Sequence, residues 1–188
     1  NTSGNTWTAV YTIHSSDTDG SVTFSIAFSD TAGNTGTAVT AVTSGGTITV
    51  DTTPPTVSIS SSDVSSGDSS NDSSINVSFT LSEPASFAMD GDPSPKSFNH
   101  ENLVINGGSF SPSDWGTDNT FNGTVTPSAD GTVTIDVPAG AFTDAAGNNN
   151  TAATQFTWTY DSTSPTVTIT AAEVSSGDSS NDDTLSMT

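Results

Sequence analysis

The fold is decided by residues 132–161, which read TVTIDVPAGAFTDAAGNNNTAATQFTWTYD. Apolar and polar side chains alternate strictly at both ends of this stretch, and the apolar positions are Val133, Ile135 and Val137, then Phe156, Trp158 and Tyr160. Alternation with a period of two is typical of half-buried β-strands. The DAAGNNN segment between the two runs contains the Gly and Asn residues that favour turns. The stretch therefore predicts two strands, over 132–137 and 155–160, joined by a loop.

The same alternation recurs along the whole chain and predicts an all-β protein. The other predicted strands cover residues 7–13, 21–28, 47–50, 56–60, 74–81, 87–89, 103–105 and 121–126. Disorder is the alternative, because only 30% of the residues are hydrophobic and the net charge is high. The regular placement of the apolar residues argues against it. We expect Phe79, Ile135 and Trp158 to point into the core, and Trp7 to be a core residue as well.

Composition excludes several classes of function. Lys96 is the only Lys or Arg against 21 Asp and Glu residues, so the formal net charge is −20 and no basic surface for nucleic acid exists. No run of 18 apolar residues is present, which predicts no membrane insertion in this segment. The absence of Cys excludes thiol and disulfide chemistry. His14 and His100 lie far apart with no nucleophile motif, so we predict two solvated histidines and no enzyme.

An internal repeat sets the organisation of the chain. Residues 51–78 and 161–188 are identical at 15 of 28 positions with an offset of 110, and VSSGDSSND recurs unchanged. This period fits one two-sheet sandwich. We predict that residues 51–160 are one complete domain, that 1–50 are the C-terminal half of a preceding domain, and that 161–188 are the first strands of a following one. The chain is then expected to be an excerpt from a longer array.

The motifs at the predicted domain boundaries resemble those of tandem bacterial Ig-like domains of large extracellular surface proteins and adhesins. The motifs on which this resemblance rests are DTTPPTV from residue 51, DSTSPTV from residue 161, and D-x-AGN at 30–34 and 144–148. The resemblance implies Ig-like β-sandwiches in an elongated array. It also implies a role as stalk, adhesin spacer or surface filament at the cell surface or outside the cell, often stiffened by calcium.

The acidic residues cluster by position in such a sandwich, which predicts metal sites at the domain joints. One group gathers where the chain enters the complete domain, and it contains Asp17, Asp19, Asp51, Glu83 and Asp144. A second group gathers where the chain leaves it, and it contains Asp63, Asp68, Asp72, Asp130 and Asp161. Like charges at such spacing repel, and calcium, which takes six to eight oxygen ligands, would neutralise them. The alternative is that these are solvated turn acids, which bond to their own backbone.

Three functions compete at this point. The first is a non-catalytic structural or adhesive array, whose partners are further copies of the repeat or neighbouring filament subunits. The second is a glycan-binding or accessory module of a secreted enzyme, with a glycan or cell-surface ligand held by Trp115 and the insertion at 90–101. The third is a carbohydrate-active enzyme using a carboxylate pair, for which no motif is present. The tandem repeat favours the first.

Overall fold

The computed structural model describes residues 7–83, 98, 100–114, 119–184 and 186–188. These residues form ten strands and one 3-10 turn. The strands are β1 (Gly20–Ser21), β2 (Thr49–Val50), β3 (Val57–Ser61), β4 (Ser69–Ser70), β5 (Ile75–Leu81), β6 (Val104–Asn106), β7 (Gly108–Asp114), β8 (Thr120–Pro127), β9 (Gly131–Asp136) and β10 (Phe156–Tyr160), and the turn is His100–Asn102. The described part of the chain has no helix with the length and apolarity needed to cross a membrane.

Eight of the strands, β3 to β10, build a β-sandwich within residues 51–160. One sheet has the order β3-β5-β8-β7 and is antiparallel throughout. The other has the order β4-β10-β9-β6, and its edge strand β4 runs parallel to β10. This is the two-sheet arrangement of an immunoglobulin-like domain. The all-β prediction and the predicted sandwich are confirmed.

The core lies between the two sheets and follows the predicted alternation. Strand β5 alternates between buried and more exposed residues, with Phe79 fully buried, and Ile135 and Trp158 face it from the second sheet at 0% and 1% exposure. The predicted inward orientation of these three residues is confirmed. Because a shift of one residue would exchange the two faces of a strand, the register is fixed by this burial.

The structure describes three residues of the insertion at 90–101, which are Phe98, His100 and Glu101. Phe98 is fully buried and lies edge-on to Phe121 and Phe142, with ring centroids 5.4 and 5.2 Å away. The Phe98 ring therefore belongs to the core between the two sheets. His100 is half-buried where the 3-10 turn begins, whereas His14 is exposed as expected. The predicted strand 87–89, Lys96 and Trp115 lie outside the described residues.

Strand β7 was not predicted from the sequence. Its residues read GSFSPSD, so the alternation is weak and Pro112 interrupts it. The strand occupies the edge of its sheet, where a proline that cannot donate to the ladder is tolerated. Phe110, its one large apolar residue, packs against Phe79 with ring centroids 5.9 Å apart.

Residues 7–50 depart most from prediction. Residues 7–13 form no strand, and Trp7 is 76% exposed rather than a core residue. The predicted strand over 21–28 is reduced to β1, paired with β2, and to an isolated bridge between Ile26 and Val39. The physical reason is that, within residues 7–50, no second sheet packs on this face, so burial does not stabilise the strands.

Residues 161–188 repeat the turn of their counterpart in the complete domain. Gly67 and Gly177 both have positive φ, at 97° and 93°. The main-chain N–H groups of Asp68 and Asp178 donate to the carbonyls of Ser65 and Ser175, both at 3.1 Å. The sequence repeat is therefore also a repeat of local structure.

Candidate functional site

The loop between β9 and β10 is closed by its own aspartate. The Asp144 carboxylate accepts hydrogen bonds from the main-chain N–H of Gly147 at 2.7 Å, and from the N–H and side-chain amide of Asn148 at 2.9 and 2.8 Å. Gly147 has a φ of 97°, which favours glycine. Asp30 accepts the equivalent bonds from Asn34, at 2.8 and 2.7 Å. The D-x-AGN motif is thus a self-capped turn in both places.

This loop brings Asp144 to the point where the chain enters the sandwich. Asp51 directly follows β2, Glu83 lies two residues after the end of β5, and a carboxylate oxygen from each of the three acids lies within 4.8 Å of the others. Asn148 ties the group together, because its amide donates to the main-chain carbonyl of Asp51 at 3.0 Å. Residues far apart in sequence therefore converge on one spot.

The pKa values of Glu83 and Asp144 are shifted in opposite directions. Burial, followed by the negative charges of Asp144 and Asp51, raises the pKa of the Glu83 carboxyl above its ordinary value. Asp144 is itself 6% exposed. Burial raises the pKa of Asp144, but hydrogen bonds, chiefly from Asn148 and Gly147, outweigh it and leave that pKa below the ordinary value. Of these two carboxylates, Glu83 would therefore gain more from a positive counter-charge.

The donor set fits a hard cation. Three carboxylates supply oxygen ligands only, which is the preference of calcium and magnesium. Calcium tolerates the irregular geometry of ligands from separate loops better than magnesium, which demands a tight octahedron. Lys96, the only basic Lys or Arg side chain of the sequence, lies outside the described residues. Asp51, Glu83 and Asp144 would hold the ion, and waters would complete its shell.

Two further predicted acids contact the linkers that follow β2 and β10. The Asp19 carboxylate accepts bonds from the Thr52 N–H at 2.7 Å, from the Thr52 hydroxyl at 2.8 Å and from the Thr53 hydroxyl. Asp19 therefore contacts the two linker residues that directly follow Asp51.

Asp130 makes the same three contacts one repeat later. Its carboxylate accepts from the Ser162 N–H at 2.9 Å, from the Ser162 hydroxyl at 2.7 Å and from the Thr163 hydroxyl at 2.7 Å. The pKa values of Asp19 and Asp130 are lowered by these bonds, in which the side-chain hydroxyls take the leading part.

The carboxylates of four further predicted acids accept hydrogen bonds from other residues of the chain. Asp17 accepts from the Tyr11 hydroxyl and the His14 N–H, Asp63 from Ser62 and from both the N–H and the amide of Asn76, Asp72 from the Ser70 hydroxyl, and Asp161 from the Thr163 N–H. The carbonyl of Asp68 accepts from the Thr159 N–H at 2.9 Å. Across the described ranges, the cluster of Asp51, Glu83 and Asp144 is the one group of three such acids close enough to share an ion.

Sequence reasoning missed the donors that organise this site. Asn148 and the hydroxyl residues Thr52, Thr53, Ser162 and Thr163 were not singled out. The available signal was that hydroxyl residues follow the linker aspartate in both copies, as DTT and DST.

Comparison with known proteins agrees with the fold. A family model described as bacterial Ig-like domain matches residues 51–160, more than half of the chain. The chain belongs to the bacterial Ig-like domain family. No curated protein and no solved structure gives a significant match. Domains of this family are generally non-catalytic structural or adhesive modules, and they typically occur in extracellular or surface proteins.

Proposed function

We propose that this chain is part of a non-catalytic, elongated array of Ig-like domains in an extracellular structural or adhesive protein. The repeat unit runs from one linker aspartate to the next, from Asp51 to Asp161. Its partners are further copies of the repeat or neighbouring filament subunits. The repetition of the linker sequence, and of the contacts made by Asp19 and Asp130, supports this organisation.

Calcium at the joint is the second part of the proposal. The observation that carries it is the convergence of Asp51, Glu83 and Asp144, because one belongs to the linker and the other two to loops of the domain. An ion bound there would connect the linker to the body of the sandwich. It would also neutralise the charges of Asp144 and Asp51, which after burial are the causes of the raised pKa of Glu83.

Calorimetric titration of the full chain with calcium tests this proposal. We expect saturable binding, and a Kd that rises about tenfold or more in Glu83→Gln, because calcium affinity follows the number of charged ligands. Glu173→Gln is the matched control, since it makes the same change at an exposed glutamate outside the cluster. Absence of saturable binding, or an equal loss of affinity in both variants, would contradict the calcium site.

A further inference from the structure

The two linkers share a contact that metal binding does not require. In both copies the glycine of an Asp-Gly pair is the first residue of a strand, with Asp19-Gly20 at β1 and Asp130-Gly131 at β9. Gly20 and Gly131 have φ of 132° and 135°, which L side chains rarely adopt. Each glycine pairs with the last residue before the linker aspartate, Val50 or Tyr160. The preceding carboxylate is thereby placed beside the linker.

The linker itself is shaped to present donors to that carboxylate. The Asp51 side chain accepts from the Thr53 N–H at 3.1 Å, and the Asp161 side chain accepts from the Thr163 N–H at 2.9 Å. Such an Asx turn fixes the direction of the backbone locally. The residue after the linker aspartate, Thr52 or Ser162, then donates its N–H and its hydroxyl to one carboxylate oxygen. The next residue, Thr53 or Thr163, donates its hydroxyl to the other oxygen.

We propose that the aspartate before the strand-opening glycine, Asp19 in one joint and Asp130 in the next, is a latch that fixes the direction in which the chain leaves each domain. The same three donors meet the same two oxygens at both sites, although the surrounding residues differ. This positioning role deepens the proposed array, on which it rests, and it acts through direct hydrogen bonds rather than through calcium. The recognition rule is an Asp-Gly pair whose glycine opens a strand, together with a linker of sequence Asp-Ser/Thr-Thr.

Distance distributions between two spin labels across the first joint test the latch. The chain has no Cys, so Ser25→Cys and Thr126→Cys, both at exposed positions, give two unique labels. Measurement in chelator removes any contribution from calcium. We expect the distribution to broaden in Asp19→Ala and, to a smaller extent, in Thr53→Val, which removes one hydroxyl and keeps the side-chain shape.

Asp17→Ala is the control, because this residue lies in the same turn and its carboxylate accepts bonds from Tyr11 and His14 of its own segment. We expect it to leave the distribution as narrow as in the unmodified chain. A distribution unchanged by both Asp19→Ala and Thr53→Val would overturn the latch, and so would equal broadening by Asp17→Ala. Failure of the latch would leave the calcium titration unaffected, and failure of the calcium site would leave these chelator measurements unaffected.

Discussion

The side-chain amide of Asn148 donates to the main-chain carbonyl of Asp51 at 3.0 Å, across 97 positions of sequence. The same amide group also donates a hydrogen bond to the Asp144 carboxylate at 2.8 Å. One half-buried side chain therefore connects the linker to the loop that contributes a carboxylate to the acidic cluster. The geometry of the candidate calcium site depends on it.

The first prediction concerns this connection. Replacing Asn148 with Ala removes both bonds, so we expect the free energy of unfolding to fall by about 1–3 kcal/mol. Asn149→Ala, at the exposed neighbouring position, should have a much smaller effect. Urea denaturation of both variants gives the comparison. Equal stability of the two variants would show that the Asn148 hydrogen bonds make no net contribution to the free energy of unfolding.

The second prediction concerns the core residue in the insertion. Phe98→Ala should lower the free energy of unfolding by about 3–5 kcal/mol, because it leaves a cavity among Phe79, Phe121 and Phe142. Thr159→Ala, at an exposed position of β10, serves as the control. A loss below about 1 kcal/mol would mean that Phe98 does not fill the space between the sheets.

The third prediction uses two glycines with similar backbone conformations. Gly107 and Gly140 have φ of 79° and 73°, so alanine is strained at both. A Cβ at Gly107 would lie 2.6 Å from the carbonyl oxygen of Thr132, whereas at Gly140 it would meet nothing within 4 Å. We expect Gly140→Ala to cost about 1–2 kcal/mol and Gly107→Ala clearly more. Thermal unfolding of the two variants measures the difference in stability. Equal losses of stability would contradict the close approach of Gly107 to the Thr132 carbonyl.

The sequence was sufficient to predict the sandwich because its central strands alternate strictly. Residues such as Phe79, Ile135 and Trp158 are buried on one face, and that burial is what the period of two encodes. Edge strand β7 escaped prediction because half of its backbone groups need no partner, so its sequence is less constrained. Trp7 was misplaced because alternation indicates a potential buried face and cannot supply the sheet that covers it.

The candidate site was predictable in part. Placing Asp51, Glu83 and Asp144 at one end of the domain required only the order of the loops, and the structure brings these three together. Asp17 was predicted in the same group, but its carboxylate accepts hydrogen bonds from Tyr11 and from the main-chain N–H of His14 instead. Such bonds are set by side-chain geometry that residue type and spacing do not determine.

The fourth prediction concerns pH dependence at the latch. The pKa of Asp130 is lowered from its ordinary value of 3.8, so the latch is fully formed above that value and is lost as the pH falls through the lower folded pKa. The amide resonance of Ser162, whose N–H donates to Asp130, should therefore titrate with a midpoint below 3.8. In Asp130→Asn this titration should vanish. A midpoint at or above 3.8 would contradict the bonded carboxylate.

In the absence of metal, the contribution of Glu83 to stability depends on pH in the opposite direction to that of Asp130. Its pKa is raised from 4.5, so its protonated form stabilises the fold below that value, and the contribution is lost as the pH rises through the higher folded pKa. Calcium should reverse this trend, because it binds the ionised form and displaces the proton.

Scanning calorimetry of the full chain with calcium and with chelator measures whether calcium stabilises the folded protein. A ligand that binds only the folded state adds about 2.7 kcal/mol of stability at 100 times its Kd, so we expect a higher Tm with calcium. The increase should be greatly reduced in Glu83→Gln and unchanged in Glu173→Gln. Identical melting with calcium and with chelator would contradict a calcium-stiffened joint at Asp51, Glu83 and Asp144.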